Sequence, residues 1–244
     1  MAETSAQISA SIDALMQEFY TITHNLANVS TAGYKRRCNA FSKSLEDYPL
    51  GTQEFIPGEI NIESALDLSQ GSIIETGRPM DFALYGKGFF VIETPQGPLY
   101  TRNGTFFANQ NGQIVDSEAR VVEGQAGAIT IPNNIALSDV HVASDGSISA
   151  RGVAIGKFNL VDFQDDETKL VPVGSSCFQM SDDKVRPLAA DNVVVKQGYQ
   201  EGSNVRIVEE LVDMIMVSRL YEANMKLVTA NKDTSGSILS VAMG

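Results

Sequence analysis

The stretch Val205 to Val228, VRIVEELVDMIMVSRLYEANMKLV, decides how the rest of the chain is read. Ile207, Leu211, Met214, Ser218, Tyr221, Met225 and Val228 recur at alternating spacings of four and three, the period of one apolar helical face with a single serine in it. A second series, Met216, Leu220, Ala223, Leu227 and Ala230, keeps the same spacing but starts two residues after Met214, about 200° further round at 100° per residue. The helix is therefore apolar on opposite faces. A helix on the surface of a soluble monomer shows one apolar stripe and one solvated face, so a helix with two stripes needs cover on both.

The other end of the chain carries a matching series. Ile8, Ile12, Leu15, Phe19, Ile22, Leu26 and Val29 also alternate by four and three, with Asp13, Gln17 and Glu18 between them. The two series predict paired N- and C-terminal helices, coiled-coil-like, the first over residues 5 to 28. This pairing covers one face of the last helix. The second face is left to the middle of the chain or to another copy of the protein. Gly33, in Thr31-Ala32-Gly33, offers the left-handed conformation that ends a helix. Ser203 or Asn204 offers the side-chain acceptor that starts the last one.

Between the helices the period changes. From Tyr34 to Gln70, Pro49, Gly51, Pro57 and Gly58 interrupt any pattern, and only fragments such as Glu59 to Ile62 alternate, which reads as an extended connector. From Ile73 to Val195 the period is two. Short strands are predicted at Asp81–Tyr85, Phe89–Glu93, Leu99–Thr101, Thr105–Ala108, Gln113–Asp116, Ala128–Ile131, Val140–Ala143 and Lys157–Phe163, and a last one at Val193–Tyr199. Gly86-Lys87-Gly88, Asn103-Gly104, Asn111-Gly112 and Asp145-Gly146 supply the positive φ of tight hairpins. The fold class expected is α+β, with an inserted, mainly antiparallel β-domain. Its divisions are 1–33 for the first helix, 34–72 for the connector, 73–202 for the β-domain and 203–244 for the last helix.

Composition narrows the function. A formal net charge of -12 opposes nucleic acid and anionic membrane surfaces, which select basic patches. Lys35, Arg36 and Arg37 form the only basic run, which reads as a solvated segment. Cys38 and Cys177 are too few for a disulfide scaffold or a zinc site. The first residues lack the basic and apolar regions of a cleavable secretory signal, and no 18-residue apolar run is available to span a membrane. Gly86-x-Gly88 lacks the third glycine and following helix of a dinucleotide fingerprint. His24 and His141 have no second ligand at metal-binding spacing. Asp165-Asp166-Glu167 and Asp182-Asp183 read as solvated turns, and no Gly-x-Ser-x-Gly elbow occurs. No catalysis, cofactor or metal is expected.

Several stretches resemble the rod proteins of the bacterial flagellar hook-basal body. Asn25-Leu26-Ala27-Asn28-Val29-Ser30-Thr31-Ala32-Gly33-Tyr34-Lys35 is similar to that family's N-terminal signature. Thr76 to Ala83, Gly88-Phe89-Phe90 and Tyr100-Thr101-Arg102-Asn103-Gly104 resemble the start of its β-domain, and Gly198-Tyr199 through Ser203-Asn204-Val205, then Glu210, Met214-Ile215, Arg219, Tyr221-Glu222 and Asn224, resemble its C-terminal signature. The resemblance implies a structural subunit that self-assembles through its terminal helices into a helical tube transmitting torque, with the β-domain packed outside. It implies as partners other copies of the chain, neighbouring rod proteins and the flagellar type III export apparatus. It also implies a periplasmic rod location without a cleaved signal, and neither nucleic acid binding nor membrane insertion.

The assembly residues it points to are Ile8, Ile12, Leu15, Phe19, Ile22, Asn25, Leu26, Asn28, Gly33, Tyr34, Asn204, Ile207, Leu211, Met214, Ile215, Leu220, Tyr221, Asn224 and Met225. Compact length and the tail Thr234-Ser235-Gly236-Ser237, where the distal-rod type carries a more strongly helical end, favour the proximal-rod type, with the distal-rod type next. Gly236 costs about 1 kcal/mol relative to alanine inside a helix, which leaves open whether one helix continues to Val241. The competing reading is a ligand-binding or enzymatic β-domain oligomerised by a terminal coiled coil, and it requires a convergent polar site.

Overall fold

The computed structural model describes residues 2–39, 64–182, 184–190 and 192–243, with side chains for all of these except 2–7, 64, 165 and 231–243. The alternating fragment Glu59 to Ile62 lies outside the described residues. Two compact units emerge. One comprises Met1–Ala27, Arg37–Ala65 and Arg206–Gly244, and the other Asn28–Arg36 and Leu66–Val205.

In the first unit, helix α1 (Ala2–Ala27) packs against helix α2 (Ile207–Met243), and the strand Arg37–Asn39 pairs with Ser64–Leu66. The apolar series of α1 lies inward: Ile22 is buried, and Ile8, Ile12, Leu15, Phe19 and Leu26 are half-buried. Asp13, Gln17 and Tyr20 face solvent. α2 runs through Gly236 as one helix, so a single glycine does not break it.

The α+β class with a coiled-coil-like helical pair does not describe the molecule. Among the described residues there are only two α-helices, against nineteen short strands in a large, mainly antiparallel β region. A coiled coil buries its repeating positions on both helices, whereas Ile207, Leu211 and Met225 of α2 are 50%, 45% and 41% exposed. Among the described side chains of α2, the buried ones are Glu210 and Val217, which belong to neither apolar series. Spacing specifies which residues share a face, and the packing partner decides which face is buried.

The second unit is built around the strand Phe89–Glu93. It pairs antiparallel with Leu99–Thr101, Val121–Gly124 and Leu160–Asp162, at the centre of a ten-stranded sheet whose path runs from Leu170–Gly174 to Phe107–Ala108. Its side chains alternate between two cores. Phe90 and Ile92 join Phe82, Phe106, Ile148 and Phe158 in one, while Phe89 and Val91 join Tyr100, Phe163, Leu170 and Phe178 in the other. Both faces of this strand are covered, which explains its near-continuous apolar run. Three smaller sheets complete the unit: a meander of Val140–Val142, Ser147–Ala150 and Val153–Lys157, the pair Phe82–Tyr85 with Val194–Gln197, and the pair Ile73–Glu75 with Tyr199–Glu201.

Candidate functional site: a buried charge junction

Tyr199–Glu201 is a short strand, and its last residue gathers four parts of the β unit. Glu201 is fully buried. Its Oε1 accepts hydrogen bonds from Lys35 Nζ at 2.7 Å and from the Gly71 amide at 2.9 Å, and its main-chain carbonyl accepts from the Gly33 amide at 2.7 Å. Arg102 Nη1 lies 3.5 Å from Oε2. One carboxylate thus faces two cations.

Each cation has a second anchor. Lys35 Nζ donates to the Ser69 carbonyl at 2.6 Å, and Arg102 Nη1 donates to the Gly86 carbonyl at 2.8 Å while the guanidinium stacks over the Phe89 ring. Burial holds the Lys35 amine below its ordinary range, with Glu201 opposing that shift, and burial likewise lowers the Arg102 guanidinium against the pull of Glu201. Arg102 Nε and Glu201 Oε2 have no protein hydrogen-bond partner, so the junction is charge-paired without being fully hydrogen-bonded.

Beside it, Asn204 ties the same segments together. Its Oδ1 accepts from the Arg36 amide at 2.7 Å and its Nδ2 donates to the Asp67 carbonyl at 2.8 Å. Asn204 is therefore not the cap of α2. Ser203 Oγ accepts from the Val205 amide, a local turn that ends two residues before the helix begins at Ile207. Gly33 has a φ of +66°, as its place after α1 suggested, though it lies well past Ala27. A Cβ there would run into the Asn103 backbone, so glycine also serves a close chain approach.

In the helical unit, Asn25 is buried and bonds both main-chain groups of Arg37 at 2.9 Å, while its Nδ2 donates to Glu210 Oε2 on α2 at 3.2 Å. Asn28 Oδ1 accepts from the Thr31 hydroxyl in the turn that follows α1. Gly33 and Tyr34 are buried, and Asn28, Asn204, Met214, Tyr221 and Asn224 are half-buried. Ile207, Leu211, Ile215, Leu220 and Met225 are exposed. The second apolar series of α2 is open along its length: Met216, Leu220 and Leu227 are 56%, 52% and 56% exposed.

Lys35, Arg102 and Glu201 did not stand out as a site in the sequence, and the reading of Lys35 as solvated is corrected by its 2% exposure. The available signal was three charged residues embedded in the three quoted motifs. The acidic turns are surface ion pairs: Asp166 and Asp182 flank Lys169, and Glu167 pairs with Lys87. His24 and His141 are exposed. Among the described residues, no group of three or more His, Cys, Asp or Glu side chains could hold a metal ion, and no helix is long and apolar enough to cross a membrane.

Residues 83–150 match the model of the flagellar hook protein FlgE/F/G D1 domain, and residues 196–241 match that of the flagellar basal body rod FlgEFG protein C-terminal region. The flagellar basal-body rod protein FlgG of Buchnera aphidicola from Acyrthosiphon pisum is 32% identical over 90% of this chain and 92% of its own length. The chain belongs to the flagellar basal-body rod protein family. Within this family, FlgG of Agrobacterium fabrum is 32% identical over 94% of the chain and 95% of itself, and FlgF of Salmonella typhimurium 30% identical over 94% and 93%. The charge junction joins residues of both matched regions, Arg102 in the first and Glu201 in the second. The rod family is structural, and its β unit here is closed by a buried ionic knot.

Proposed function

We propose that this rod-family chain self-assembles into a helical tube that transmits torque in the flagellar basal body. The terminal segments 1–33 and 203–244 supply the assembling helices, and the β-domain, 73–202, is carried through the connector 34–72. The observation that carries this reading is the open second apolar series of α2, Met216, Leu220 and Leu227, on a chain related to basal-body rod proteins. An apolar face repeated every seven residues is costly to leave in water and fits an identical or related helix from a neighbouring subunit.

In this proposal the partners are other copies of the chain, neighbouring rod proteins and the flagellar type III export apparatus, and the protein works in the periplasm with its N-terminus uncleaved. It performs no catalysis. Fractionation of detergent-resistant basal bodies tests the proposal. The tagged full-length chain is expected in that fraction with its N-terminal residues intact. A soluble, discrete oligomer absent from basal bodies would overturn the proposal.

A further inference from the structure

The nine residues Asn28–Arg36 group with the β unit, although the chain on either side of them belongs to the helical unit. Tyr34 among them is buried, and polar contacts tie the segment to the unit. Gly33 N–H reaches the Glu201 carbonyl, Lys35 Nζ reaches the Glu201 carboxylate and the Ser69 carbonyl, Arg36 N–H reaches Asn204 Oδ1, and the Arg36 carbonyl accepts from the Asp67 amide at 2.9 Å. Neither apolar core of the unit includes a residue of this segment. The lock itself encloses two cations and one carboxylate, and it leaves Arg102 Nε and Glu201 Oε2 without hydrogen bonds. Such a contact stabilises less than its short distances suggest, because desolvation offsets most of the attraction.

We infer that Asn28–Arg36 is a releasable strap whose catch, Glu201 and Asn204, is supplied by the end of the β unit, so that the strap locks only after the C-terminal part of the chain has arrived. The partners are separated by 166 residues for Lys35 and Glu201, and by 168 for Arg36 and Asn204. Until Tyr199–Glu201 has paired with Ile73–Glu75, the strap has only the Ser69 carbonyl and the Asp67 amide to close on, without its charge partner. It therefore opens as a local unit of low stability while the aromatic cores stay folded. All the partners lie in one chain, so the lock does not depend on assembly.

Limited trypsin digestion of the full-length protein, read at the Lys35–Arg36 bond, tests this, with alkylation of the buried Cys177 as the gauge of the core. Glu201→Gln is expected to accelerate that cleavage about a hundredfold or more, since cleavage follows the open population. Asn204→Ala is expected to accelerate it about tenfold. In both variants the opening that admits trypsin should stay far more populated than the one that exposes Cys177. During refolding of the unmodified chain, the bond should become resistant no earlier than the Tyr199–Glu201 amides become protected from exchange. Unchanged cleavage in both variants would overturn the strap. So would cleavage and Cys177 alkylation reporting the same open population, or resistance gained before Tyr199–Glu201 is protected.

Discussion

Replacing Glu201 by glutamine keeps the shape of the side chain and removes its charge. Lys35 and Arg102 are then left in a buried site, with side chains 0% and 4% exposed, and no carboxylate between them. Breaking a buried pair in this way costs about 3–5 kcal/mol, because the surviving charge remains desolvated. The Gly71 amide keeps an acceptor in the glutamine oxygen, so the loss is electrostatic in the main. Urea unfolding of the purified chain should show a fall of that size in the transition that reports the β unit, with little change in slope.

A pH signature separates this cause from loss of packing. Burial already holds the Lys35 amine below 10.5, and removing Glu201 takes away the two contributions that raise it. Between the folded-state value and 10.5 the folded protein carries fewer protons than the unfolded chain, so stability rises with pH across that window. The window is wider in the variant. The deficit of Glu201→Gln relative to the unmodified protein should therefore shrink as pH rises towards 10.5. A deficit below about 1 kcal/mol, or one that grows with pH, would refute the assignment of the junction as the unit's charge lock.

Gly33→Ala should cost at least about 1–2 kcal/mol for its left-handed backbone alone, and more because its Cβ meets Asn103; a thermal melt within a degree of the parent would contradict the close approach. Asp145, hydrogen-bonded by Lys157 and by the Ser147 hydroxyl and amide, titrates at about 2 instead of 3.8. Its stabilising effect is complete above pH 3.8 and is lost as pH falls through about 2, so Asp145→Asn should lower the melting temperature at pH 7 and do so progressively less as the pH is taken down past 2. Cys177 is 2% exposed, and burial pushes its thiol upward, so iodoacetamide at pH 8 should leave it unmodified in the folded chain and label it in denaturant.

The helices and the central strands were legible because their patterns are local. α1 differs from the expected 5–28 by a few residues, and Phe89–Glu93 and Leu99–Thr101 lie where the alternation put them. Other strands hid for identifiable reasons. Ser147–Ala150 turns only Ile148 and Ala150 inward, a weak signal among serines, and Leu170–Gly174 contains Pro172, which reads as a break but is tolerated on the edge strand it occupies. Lys157 to Phe163 divides between two sheets, a pairing decision the local period does not carry. The charge junction was invisible for a different reason. Lys35 and Glu201 are adjacent only after the whole β unit has folded, and a lysine next to an arginine pair looks solvated until its partner is known. The second series of α2 was legible as a face, and its exposure within one chain was the information the structure added.

The claim that this face is an assembly surface is tested most directly by Leu220→Asp, read in two assays. Leu220 is 52% exposed in the chain, so the purified monomer should melt within about 2 °C of the parent, as surface substitutions do. In the assembled rod the same change buries an unpaired carboxylate at every repeat of the contact, costing several kcal/mol at each, on the order expected for unpaired buried charge. Incorporation into basal bodies and motility should both be lost. A monomer melt that collapses, or normal incorporation with an unchanged melt, would contradict the account.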